Sequence, residues 1–73
     1  MPDDVLLAKV NAELEVNPKM GPYRLFKFIN EHLQSEAETK RFMKTTLGYK
    51  HWQVNWIHKK IQNRANRYAL YNK

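Results

Sequence analysis

The stretch TTLGYKHWQVNWIHKKIQN, residues 45–63, decides how the chain folds. Gly48 can adopt the left-handed backbone that stops a helix. Beyond it, Val54, Ile57 and Ile61 fall three and four apart, and at about 100° per residue Ala65 and Tyr68 extend the same narrow stripe. One helix over about residues 50–70, with that stripe turned to a core, satisfies the pattern. Trp52, Trp56, Lys59, Asn63 and Arg67 then fall on the reverse side, flanked by Asn55 and Lys60. An indole left in water forgoes a large apolar burial. Trp52 and Trp56 are therefore either covered by another helix, part of a nucleic-acid surface, or a protein-binding hot spot.

The rest of the chain reads as three shorter helices, with no strand alternation. The first spans about 4–15, with Asp3 or Asp4 as its cap and a stripe of Leu6 or Leu7, Val10 and Leu14. It ends before Asn17-Pro18, because a residue preceding proline is pushed out of the helical region. Pro22 suits the first position of a second helix over about 22–34. Leu25, Phe26, Ile29 and Leu33 line that helix, and Tyr23 and Phe28 widen its apolar face, so it should be the central one. Ser35 and Glu38 fit a capping box that opens a third helix over about 36–47. Its apolar face is Phe42, Met43, Thr46 and Leu47. The expectation is an all-α, single-domain bundle of three to four helices over residues 1–73.

Charge is divided unevenly along the sequence. Residues 1–38 hold all seven acids and four bases, whereas residues 39–73 hold nine bases and no acid. A solvated helix ordinarily mixes signs for local pairing. A carboxylate-free half sets up a one-signed field suited to a polyanion, unless it folds onto the acidic half and is neutralised there. There is no cysteine, so no disulfide or thiolate metal site is expected. His51 and His58 have no third ligand spaced for zinc, so no metal is expected. No nucleophile–base pair, glycine-rich phosphate loop or paired carboxylates occur. The expectation is a protein that is not an enzyme and needs no cofactor or small-molecule substrate. The acidic N-terminus with its short apolar run is unlike a secretory signal, and no stretch approaches a membrane span. Both point to a cytoplasmic, nucleoid-associated or nuclear place, away from membranes.

Leu47-Gly48-Tyr49, with Val54 and Ile57 six and nine positions beyond the glycine and Met43 five before it, resembles the helix-turn-helix superfamily. Lys44 departs from the pattern, since the motif carries a small residue there. The resemblance covers about residues 40–61, within a helix-turn-helix-like unit over 36–62. It implies that the fourth helix is a recognition helix whose outward residues Lys50, His51, Trp52, Asn55, Trp56 and Lys59 meet base edges. Asn55 could pair with adenine, and lysines could reach guanine or phosphate. Lys60, Asn63, Arg64 and Arg67 would continue toward phosphates, and Lys40, Arg41 and Lys44 would lie across the backbone.

The functional expectation is a small basic DNA-binding protein, either a transcription regulator or an accessory, architectural factor. Its small interface would suit a homodimer on a two-fold-related site. The alternative is a protein-binding module of phage or plasmid type that inhibits or adapts a host nucleic-acid machine. That module would take an acidic protein partner on the Trp52/Trp56 face. RNA is the remaining candidate ligand.

Overall fold

The computed structural model describes the backbone of residues 2–71 and the side chains of residues 2–69. The chain forms four helices: α1 over Asp3–Val16, α2 over Pro22–Leu33, α3 over Glu36–Thr45 and α4 over His51–Tyr71. Among the described residues there is no strand, and no helix is long and apolar enough to cross a membrane.

The helix ends follow local chemistry, with corrections to the expected caps. Pro2 precedes the first turn of α1 and no side chain caps it. Asp4 accepts only from the amide of its neighbour Val5. Asp3 is drawn away to Arg41, whose guanidinium donates to it at 3.3 and 3.4 Å. Pro22 opens α2 as expected. That helix stops at Leu33 rather than residue 34, because Gln34 turns left-handed at φ 52° and its amide donates back to Asn30 O. The kink frees Ser35 to start α3, where its hydroxyl accepts from the Glu38 amide at 3.3 Å. The return half of the capping box is replaced, since Arg41 engages the Glu38 carboxylate at 3.1 Å. α3 ends at Thr45, two residues earlier than expected. Gly48, at φ 78°, lets the Tyr49 amide double back to Met43 O at 2.9 Å. The Gln53 side chain then accepts from the Lys50 amide at 2.9 Å, satisfying a donor at the start of α4.

α2 packs on all three other helices and is the central element. The fully buried core is Leu6 and Val10 of α1, Leu25, Phe26 and Ile29 of α2, Phe42 and Met43 of α3, and Val54 and Ile57 of α4. Leu7, Leu14, Met20, Phe28, Leu33, Leu47, Tyr49 and Ile61 border it. One polar side chain joins them. Buried Thr39 donates its hydroxyl proton to Ser35 O at 2.8 Å, and Asn30 Oδ1 lies 3.1 Å away on α2. With the amide turned, Asn30 Nδ2 donates to Thr39 Oγ1 while the hydroxyl proton stays on Ser35 O, so both contacts are hydrogen bonds and the pair locks α3 onto α2 with its polar atoms satisfied.

The stripe of α4 is shorter than its periodicity suggests. Val54 and Ile57 are buried and Ile61 half-buried, but Ala65 and Tyr68 are exposed. Every described residue from Gln62 to Ala69 is exposed. α4 outruns the helices it packs on, and its last turns stand clear of the bundle, consistent with a molecule 40 Å long and only 26 and 22 Å across.

Candidate nucleic-acid interface

α4 meets the bundle through Val54, Ile57, Ile61 and His58. His58 is nearly enclosed: its ring lies against Phe26 at 6.1 Å between centroids, and its Nε2 sits 2.5 Å from Glu36 Oε2. These anchors fix the rotation of α4 about its axis, so the residues about 180° away must face solvent. Trp52 is 65% exposed and Trp56 58% exposed. Neither indole belongs to the core. No apolar side chain among the described core residues covers them, and leaving both largely wet forgoes on the order of 2–4 kcal/mol per ring.

The cations expected to line this face divide into two groups. Arg41 is committed elsewhere, to Asp3 and Glu38. The Asp3 hydrogen bond first, then that from Glu38, holds the guanidinium pKa above its ordinary value. Arg41 therefore ties the start of α1 to α3 and is not free to reach a ligand without breaking those contacts. Lys40, Lys44, Lys50, Lys59, Lys60, Arg64 and Arg67 have no carboxylate within ion-pair distance among the described residues. Lys73 lies outside the described residues. Folding thus leaves the charge of the second half largely unneutralised: among the described residues of that half, Arg41 and His58 alone meet acids.

Lys40 and Lys44 stand one turn apart on α3, and Arg41 is rotated 100° from Lys40. On α4, Trp52, Trp56, Lys59, Asn63 and Arg67 share the outward side, and Lys60 and Arg64 lie along its edge nearer Tyr23 of α2. Asn55 sits on the other flank, half-buried, with its amide nitrogen 2.9 Å from His51 Nε2 one turn back. To pair with adenine through both ends of its amide, Asn55 would have to share or release that contact.

Tyr23, at the first turn of α2, joins this surface without any signal in the sequence that placed it there. Lys60 Nζ lies 4.9 Å from the Trp56 ring centroid and 5.7 Å from that of Tyr23. Lys27, one turn along α2, places its Nζ 5.9 Å from the same tyrosine ring. Tyr23, Trp56, Lys59, Lys60, Asn63, Arg64, Arg67 and Tyr68 line an open groove of about 920 Å³ that contains no acid. Such a surface can attract phosphates over a distance and offer ring faces at contact.

No protein-family model, curated protein or solved structure matches the chain.

Proposed function

We propose that the protein binds DNA through the outward face of α4, as a regulator or an accessory, architectural factor built on a helix-turn-helix-like unit. One observation carries this reading. Two exposed indoles stand on a helix face among Lys59, Lys60, Arg64 and Arg67, none of which has a carboxylate partner among the described residues. Gly48, with its positive φ between α3 and α4, supports the helix-turn-helix resemblance. Phosphate contacts from the unpaired cations would supply most of the affinity. Residues 51–59 would supply any base preference, with the tryptophans packing on sugars or thymine methyls.

Fluorescence anisotropy with a random-sequence duplex at two salt concentrations tests this. If about five phosphates are neutralised, the log–log slope is about −4.5, and a fourfold rise in salt weakens binding roughly 500-fold. Absence of binding at low salt overturns the proposal.

A second reading draws on the same exposed indoles. Two tryptophans more than half exposed on one side of one helix are also what a protein-binding hot spot presents. The partner would be acidic, to match the cations around them. Such a complex would lose most of its affinity on Trp56→Ala and weaken less steeply with salt than DNA binding, because a folded acidic partner releases no condensed counterion atmosphere.

A further inference from the structure

The groove between α2 and α4 runs along the edge of the outward face, shares Trp56, Lys59 and Asn63 with it and adds the Tyr23 ring from α2. A duplex shows a helix its base edges and its phosphates, while the faces of its bases stay hidden in the stack. Ring faces are useful chiefly to bases that have left the stack. In this groove two ring faces are set beside one cation. Trp56 and Tyr23 come from different helices, and both lie within 6 Å of Lys60 Nζ. The rings are thus no farther apart than those two distances laid end to end.

We propose that this groove receives an unpaired base of a DNA strand, stacked on Trp56 and Tyr23 while Lys60 moves from the rings to the adjoining phosphate. The assignment rests on the DNA-binding reading above and names the form of DNA it favours. Three features of the groove support it.

The groove has charge complementarity to a strand, since its lining includes Lys60, Arg64 and Arg67 and no acid. These three cations recur along about 10 Å of helix, enough for two or three nucleotide steps. Each ring also has a lysine four residues on in its own helix, Lys27 for Tyr23 and Lys60 for Trp56. At an exposed site a lysine–ring contact is weaker than a base–ring stack, and a lysine gains more from a phosphate. The ammonium over the rings is therefore displaceable by the ligand, and after displacement it still contributes. Finally, Tyr23 is half-buried and stands on the central helix, so its ring is placed by the fold before any ligand arrives.

The test compares a 20-base-pair duplex with the same duplex carrying a three-nucleotide gap, at one salt concentration, by anisotropy and by quenching of tryptophan fluorescence. The gapped duplex is expected to bind at least fivefold tighter and to quench more strongly at saturation. Tyr23→Ala should bring the gapped-to-intact affinity ratio to about one, and Tyr23→Phe, which keeps the ring, should preserve it. The helical circular dichroism of both variants checks that they are folded. If the intact duplex binds but the wild-type ratio is about one, the groove assignment fails alone. A ratio that survives Tyr23→Ala also overturns it, because a gap then helps only by making the DNA easier to bend. If neither probe binds at low salt, the DNA-binding reading fails and takes this assignment with it.

Discussion

At the scale of single residues, cations of the same type are not equivalent. Arg41 and Lys59 both belong to the acid-free half of the sequence and both are exposed. Arg41, however, already donates to two carboxylates, whereas Lys59 has none within reach. A phosphate must compete with Asp3 and Glu38 for Arg41, but it takes Lys59 without loss of an existing pair. Lys59→Ala should therefore reduce the salt slope of DNA binding by about one. Arg41→Ala should leave that slope unchanged and instead loosen the start of α1, seen as faster amide exchange there. Equal slopes for the two variants would show that the ion pairs of Arg41 do not restrain it. The sequence could not make this distinction, because Asp3 and Arg41 are brought together only by folding. Position by helical count did place the two indoles correctly, opposite Val54 and Ile57. What counting leaves open is whether a further helix covers the opposite side, and here none does.

At the scale of elements, α4 is two helices in physical terms. Its first half is held by Val54, Ile57, His58 and Ile61 against the bundle. Its second half rests mainly on its own backbone hydrogen bonds, since every described residue from Gln62 to Ala69 is exposed. Helices without tertiary packing are marginal in water. Asn66→Pro would break the ladder there and leave the core contacts untouched. The melting temperature should change by no more than about 2 °C, because the fold does not depend on these turns. DNA affinity should fall about tenfold as Arg64 and Arg67 lose their fixed spacing. A large drop in melting temperature would mean that the last turns pack on something. The order of the helices, their approximate ends and the centrality of α2 were legible in the apolar spacing and in Pro22, Ser35 and Gly48. The false part was the outer end of the α4 stripe. Ala65 and Tyr68 keep the right phase, but phase says nothing about where the neighbouring helices stop. Tyr23 was misjudged for the opposite reason. It reads as part of a broad apolar face, yet its ring borders lysines of two helices.

At the scale of the whole molecule, the decisive quantity is the imbalance that folding fails to cancel. Seven acids face thirteen bases in the sequence, and the acid–base pairs among the described residues use Asp3, Glu36 and Glu38. Among the described residues, the large apolar side chains left exposed are Val5, Val16, Trp52, Trp56 and Tyr68. Three of these stand on α4, so the most apolar part of the surface is also strongly cationic. Two copies meeting through it would bring like charges together, which is unfavourable at low salt. The free protein should therefore sediment as a monomer of 8.8 kDa at low ionic strength. Any pairing of copies should arise on DNA, where phosphates screen the two faces from one another. Sedimentation equilibrium with and without a duplex long enough for two copies checks this. A dimer in the absence of DNA at low salt would mean that the tryptophans associate despite the lysines. The exposed face of α4 would then be a protein interface first, and the charge around it a means of choosing the partner.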